Sequence, residues 1–287
     1  RARKPASMVL PLPLELPVLP APRERALIVL MDPDASLESY LAVVEGDPAL
    51  TAAVLRAANS AHAWPIQPAR NARDGVVRLG ATAVRHLITA TLVRSEFASV
   101  EAAGLDTDEL WRHLLGCALL AEAQAPDEDS AREAFTAGLV HDLGRLAMAA
   151  QAPTRYRQVI ETVREGHDPL GTEQAAFGIN HAEFGLLIAQ RWRLPEEITV
   201  AIGTHHRLQD RPIDTPPPPG ADAAGRLALA RWLMHGLGIG DGMQRNGPVD
   251  PVAEAHPLII AAGGRPQLMK AVRWFRGSTR TRYRPAA

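Results

Sequence analysis

The chain has 287 residues, 46% hydrophobic and 22% charged, with a formal net charge of −1 and a pI near 6.9. That balance predicts a globular protein with ample core and lacks the basic excess that nucleic-acid binding shows, so no DNA partner is expected. Aromatics at 5% disfavour a β-sandwich, and a single cysteine, Cys117, excludes an intrachain disulfide framework and a Cys-rich zinc site while fitting a reducing cytoplasm.

Residues 1–22 carry Pro11, Pro13, Pro17, Pro20 and Pro22 and predict an extended lead-in. The chain opens on Arg1 rather than Met, which would accommodate an upstream module. Helices are expected from there on. Asp34 or Ser36 caps a helix with Leu37, Leu41 and Val44 on one face, stopping at Gly46. Asp47-Pro48 supplies an N-cap and a proline at the first helical position, and Leu50, Val54, Leu55 and Ala58 follow. Asn59-Ser60 ends that helix, and Asn59 and Arg78 are read as structural residues at helix ends. Val76, Val77 and Leu79 lead to a stop at Gly80, and Val84, Leu87, Ile88 and Leu92 mark the next helix.

Three capping boxes follow. Asp106 with Glu109 starts a helix whose Leu110, His113, Leu114, Cys117 and Leu120 form one apolar stripe. Ser130 with Glu133 opens the run that carries His141-Asp142. Asn180 with Glu183 places His181 in a first turn. Leu194-Pro195 begins a helix with Ile198, Ala201, Ile202 and His205 on one face. Pro216-Pro217-Pro218-Pro219-Gly220 is a stiff connector, a helix runs from about Ala223 to Gly236, and residues 239–265 resist assignment. A short amphipathic helix near Pro266–Phe275 closes the chain before a basic tail from Arg276 that is expected to fray. No strand alternation and no apolar run of the roughly 18–20 residues needed for a membrane span is evident.

Six side chains in this order could make a buried metal site: His113, the pair His141-Asp142, His181, and the pair His205-His206. A His-Asp pair inside an apolar run is costly to bury unless each group is paired or metal-bound. Each histidine alone is more often a hydrogen-bonded core residue than a ligand. Together, imidazoles and a carboxylate on separate helices can converge on Fe, Mn or Zn, where bound water is acidified and attacks phosphorus. Glu109, four residues before His113, could be a further ligand or receive a ring N–H. Arg112, Arg145 and Arg231 are candidate phosphate cations, although of 31 basic residues only Lys4 and Lys270 are lysine, so nearby arginines discriminate little. His62, His86, His167, His235 and His256 lack comparable context, and His167-Asp168 reads as an exposed turn. Cys117 reads as a core thiol with no flanking base.

The chain from about Leu16 to His206 resembles the HDOD domain family, a bacterial signalling module related to HD-superfamily phosphohydrolases. The likeness rests on Asp47-Pro48-Ala49-Leu50-Thr51, Leu55-Arg56-Ala57-Ala58-Asn59-Ser60, Arg78-Leu79-Gly80, Leu110-Trp111-Arg112-His113, Gly138 to Gly144, Asn180-His181-Ala182-Glu183-Phe184-Gly185, Trp192-Arg193-Leu194-Pro195 and Thr204-His205-His206. It implies an all-α, two-lobed protein: a helical lobe over 23–97, an HD-like bundle over 98–238, and an extension over 239–287. It further implies a cytoplasmic regulatory module acting through signalling proteins or a nucleotide or cyclic-dinucleotide ligand, without catalysis. The related enzymes use one more aspartate, and Arg231 stands near its position; Asp222 or Asp241 could substitute only if the chain is offset from this alignment. At most one divalent transition metal (Fe, Mn or Zn) is then expected on His113, His141, Asp142, His181, His205 and His206. The alternative is a metal-dependent phosphohydrolase acting on nucleotides or cyclic dinucleotides.

Overall fold

Short polar side chains placed just before apolar stripes start most of the helices. The computed structural model describes residues 14–17, 21–60, 68–96, 98–207, 220–243 and 247–279, and every regular element among them is helical. The fold is all-α, as the periodicity and the resemblance predict. His62, most of the Pro-rich lead-in, the connector through Pro219 and the tail beyond Thr279 lie outside the described residues.

α1 (Ala21–Met31), α2 (Leu37–Glu45), α3 (Pro48–Ala58) and α4 (Ala72–Glu96) pack on one another. The expected lead-in to residue 22 is therefore too long: α1 begins at Ala21, with Pro22 in the first turn, where its missing N–H costs nothing. Ser36 caps α2 through the Ser39 N–H, and Asp47 caps α3 through the Ala49 N–H at 2.7 Å. Asn59 ends α3 and brackets Ala69, accepting from its N–H at 2.8 Å and donating to its carbonyl at 2.9 Å, while Arg78 Nη1 reaches Asn59 Oδ1 at 3.3 Å. Both residues are structural, as read. Gly80 (φ 77°, ψ 167°) interrupts the helical backbone where the sequence reading expects a stop, so α4 is two helical segments joined at a kink. By length and composition alone the Ala72–Ser95 stretch could cross a membrane, but its backbone is interrupted at Gly80, and its most apolar 18-residue window has a mean hydropathy of 1.3. More than half of it is buried against other helices, the pattern of a core helix.

A 3-10 turn (Ala98–Ala103) leads to α5 (Thr107–Glu122), α6 (Glu128–Val140), α7 (Leu143–Gln151), α8 (Pro153–Arg164), α9 (Pro169–Phe177), α10 (His181–Arg191), α11 (Glu196–Thr204) and α12 (Ala223–Gly236). α5 packs on α6 and α12, α10 lies on α7 and α11, and α11 and α12 close on α6. The expected box at Ser130 is displaced. Asp127 is the cap of α6, its carboxylate accepting both the Ser130 N–H (2.8 Å) and the Ser130 hydroxyl (3.0 Å), a stronger acceptor than a neutral hydroxyl. Asp106 caps α5, but Glu109 does not reciprocate. Only Asn180-Glu183 forms a full box.

Residues 239–265, opaque in the sequence, contain α13 (Pro251–Glu254) and α14 (Pro257–Ala261), started by Asp250 and His256 with proline in each first turn. α15 (Gly264–Thr279) runs on through Arg276, where fraying was expected, because it packs on α3, α4 and α5. The set-aside histidines mostly have plain roles. His86 stacks on Phe135 (centroids 3.6 Å) and meets Glu122 at 2.8 Å, and His167 is exposed beside Asp168, the cap of α9.

Candidate metal centre

Backbone contact brings the site together. A Cβ on Gly144 would stand 2.0 Å from the His181 carbonyl oxygen and 2.6 Å from the Gly185 nitrogen, so only glycine lets α7 meet α10 this closely. A Cβ on Gly138 would stand 2.5 Å from the Ala118 Cα, so α6 and α5 touch in the same way. His141-Asp142 falls in the break between α6 and α7, not inside a helical run as expected. The break points both side chains inward, where each is fully buried.

All six predicted residues meet there. His141 and His205 rings lie 5.1 Å apart, His113 and His141 5.4 Å, and His205 and His206 4.1 Å. They divide into two groups. Asp142, His181, His205 and His206 each offer a donor atom within 4.8 Å of the others, and His113 and His141 do so with Cys117. Cys117, set aside in the sequence for want of a flanking base, has its Sγ 3.6 Å from His113 Nε2. Burial nonetheless pushes its thiol up, away from the thiolate.

Three imidazoles share one orientation. Nδ1 of His141 donates to the Gly138 carbonyl at 2.8 Å and Nδ1 of His205 to Ile202 at 2.6 Å; a carbonyl only accepts, so each Nε2 keeps its lone pair and faces the cluster. Nδ1 of His181 sits 2.5 Å from Glu173 Oε2. A polar group behind each ring that fixes its tautomer is the arrangement metal-binding histidines use. His141 Nε2 and Asp142 Oδ1 are buried without a hydrogen bond of good geometry. Asp142 has His181 Nε2 at 3.3 Å and His205 Nε2 at 3.5 Å from Oδ1, and His141 Nε2 at 3.6 Å from Oδ2. Bonds of about 2.0–2.2 Å from one ion would span such a donor set. The four-residue group therefore fits a divalent transition metal, with Asp142, His181, His205 and His206 as its holders.

Two guanidiniums also occupy the cluster. Arg145 is fully buried, with Nη1 2.7 Å from Asp241 and 3.3 Å from Asp142, and Nη2 3.3 Å from His181 Nε2. It is an internal counter-ion rather than the phosphate-facing cation expected. Arg231 is buried, donates Nη1 to the His205 carbonyl, and leaves Nε and Nη2 unpartnered.

Burial disfavours ionisation of Asp142, but Arg145 and His141 outweigh it and hold the carboxyl well below the usual range. Burial works against the charge on Asp241 too, and Arg145 reverses that. His113 and His141 are pushed down by burial, with Arg231 adding to the effect. His205 falls to about 3 through burial, with Arg231 opposing its protonation, and His206 is pushed down by burial, His205 and Arg231. His181 goes the other way: Glu173 overcomes burial and raises it. The His181 Nε2 lies 2.6 Å from His206 Nε2 and 3.3 Å from Asp142 Oδ1.

These directions predict acid sensitivity. An imidazole whose folded pKa lies below its unfolded value of about 6.5 contributes stability above that value and loses it as pH falls. His205 alone, folded value about 3, should cost about 1.4 kcal/mol per pH unit below 6.5, or about 2 kcal/mol by pH 5. His113, His141 and His206 act in the same sense, and His181 in the opposite sense. The melting temperature of metal-stripped protein should therefore fall between pH 7 and pH 5; a rise over that window would contradict the account.

Sequence reasoning missed Glu173, set His235 aside, and weighed Asp241 only as a replacement for the aspartate near Arg231. Glu173 on α9 is fully buried and accepts from the Tyr156 hydroxyl (2.6 Å) and the His181 N–H (2.9 Å). Its one signal is position: Leu170, Glu173 and Phe177 share a face of α9, a carboxylate on an apolar stripe. Asp241 lies in the segment after α12, where no spacing announces it. His235 was set aside, yet its ring is 4.9 Å from that of His113. Glu109, the expected further ligand, instead accepts the Gly240 N–H at 2.9 Å, while His113 Nδ1 faces the Ile239 carbonyl at 3.3 Å.

Residues 16–208 match the family model of the HDOD domain. A curated relative, an uncharacterized protein of Treponema pallidum (strain Nichols), is 26% identical over 209 residues, which is 71% of this chain but 40% of that protein. The chain thus spans well under half of that relative's length. Two solved structures are similar over 92% of both chains at 26% identity. One is an HDOD domain protein with unknown function from Geobacter sulfurreducens (TM-score 0.64), the other a protein described as a candidate phosphohydrolase from Shewanella amazonensis SB2B (TM-score 0.63).

Proposed function

The chain belongs to the HDOD domain family, and from that premise we propose that it is a regulatory module of bacterial signal transduction that acts through partner contacts rather than by turnover. In this reading α1–α4 form one lobe, and the helices from α5 to α12 form the HD-like lobe that houses the cluster. The observation that carries it is the pair of buried guanidiniums. Arg145 already neutralises Asp142, the one carboxylate in the donor group. Arg231 stands close enough to oppose protonation of His113, His141, His205 and His206, and the same charge opposes a dication there. A guanidinium has no lone pair to offer a metal.

A second reading, a metal-dependent phosphohydrolase, is favoured by buried donor atoms that lack a well-formed hydrogen bond, among them His141 Nε2 and Asp142 Oδ1. A metal there would polarise a phosphoryl oxygen and acidify bound water. Asp142 and the three histidines would hold it, and Glu173 would keep the His181 ring aimed inward. Its substrates would be nucleotides or cyclic dinucleotides.

Elemental analysis and turnover assays separate the two. Dialysed wild-type protein should carry well under one Fe, Mn or Zn per chain and show no metal-dependent hydrolysis of phosphodiesters. Arg231→Asp, which removes a buried cation and supplies a ligand, should bind metal at least tenfold more tightly. Stoichiometric metal with metal-dependent turnover in the wild type would overturn the regulatory reading.

A further inference from the structure

A polar cavity is lined in part by Gly238 and Ile239, in the segment whose Ile239 and Asp241 also contact the cluster. It measures about 480 Å³, within the range of small-molecule sites, and sits between α5, α13 and α15. Arg112, Arg265, Arg273 and Arg276 line it, with Glu109 and Glu254. Arg265, Arg273 and Arg276 recur at helical spacing along α15, so one face of the helix presents three guanidiniums to the cavity and α5 presents a fourth.

The carboxylates do not balance these cations. Glu109 is occupied by the Gly240 N–H, and burial disfavours its charge. Of the four arginines, Arg276 makes an ion pair, with Asp108 at 3.3 Å, and the others make none with a described residue. Arg112 donates Nε to the Asp108 carbonyl at 3.1 Å, which fixes its stem while leaving the end of the fork to the cavity. Arg265 has a buried Nε with no partner. Guanidiniums gathered in a concave site repel one another unless an anion joins them, and their planar forks suit phosphate oxygens.

We propose that this cavity binds a small molecule carrying phosphate groups, at a site separate from the histidine cluster. Its inner wall is shared with the cluster: Ile239 faces His113, Gly240 bonds Glu109, and Asp241 pairs with Arg145. A ligand that moves this wall therefore acts on the cluster without entering it.

The test is calorimetric titration of the chelator-treated chain with inorganic pyrophosphate and, separately, ADP. Chelation removes any metal that would bind pyrophosphate at the cluster. Saturable binding of one probe molecule per chain is expected, weakening as salt is raised. Equal affinities would mean that the phosphates alone are read, and tighter ADP binding that the rest of the cavity takes the nucleoside. Arg273 is exposed, so Arg273→Glu should leave the melting temperature unchanged and weaken binding at least tenfold, with Arg265→Gln adding to the loss. Failure of both probes to saturate, or undiminished affinity in Arg273→Glu, would overturn the proposal.

Discussion

Replacing Arg145 with methionine is expected to cost about 3–5 kcal/mol of stability, a large share of the roughly 5–15 kcal/mol that holds a typical domain folded. The side chain has no exposed surface, and it holds Asp241 at 2.7 Å and Asp142 at 3.3 Å. Methionine fills similar volume, so the loss is electrostatic: two buried carboxylates are left without their cation. Urea denaturation of wild type and Arg145→Met reads the difference. The same pair of curves bears on metal, because a dication beside Asp142 would take over part of the lost charge. Restoration of stability by added Zn or Mn in the variant would mark a metal-competent cluster. A loss below about 1 kcal/mol without metal would mean that Arg145 is not the counter-ion described here.

Glu173→Ala should have an effect of similar size, again about 3–5 kcal/mol. Three groups lose their acceptor at once: the Tyr156 hydroxyl, the His181 N–H and the His181 ring. Glu173→Gln separates charge from hydrogen bonding. It keeps an oxygen for Tyr156 or the backbone but gives up the attraction that raises the His181 pKa. His181 should then titrate at lower pH than in wild type, measured by NMR of the imidazole, and the alanine variant should be the less stable of the two. An unchanged His181 titration in Glu173→Gln would show that another group holds its proton.

The elements were legible where local chemistry decides them. Asp47-Pro48, Asn180-Glu183 and the span Ala223–Gly236 could be read from caps and period alone, because the interactions that start a helix lie within four residues of one another. Asp127 took the capping role expected of Ser130 because two aspartates, a glutamate and a serine crowd that helix start, and spacing does not rank them. The six cluster residues were legible as a set because His-Asp and His-His pairs on apolar stripes are rare enough to notice. Their counter-ions were not. Glu173 reaches His181 from another helix, and Asp241 reaches Arg145 across 96 positions, so nothing local encodes either contact. Arg231 was legible as an obstacle to metal but not as the residue that bonds the His205 carbonyl.

Gly138, Gly144 and Gly185 give the cluster a property that its charged residues do not. The crossings of α5 with α6 and of α7 with α10 are set by main chain against main chain. The helix crossings do not themselves depend on the charged side chains between them, although the stability of the whole does. A Cβ at Gly144, by contrast, would meet the His181 carbonyl and force α7 away from α10. An exchange such as Arg231→Asp can therefore change what the cluster attracts without touching the helix crossings, which a substitution at Gly144 cannot.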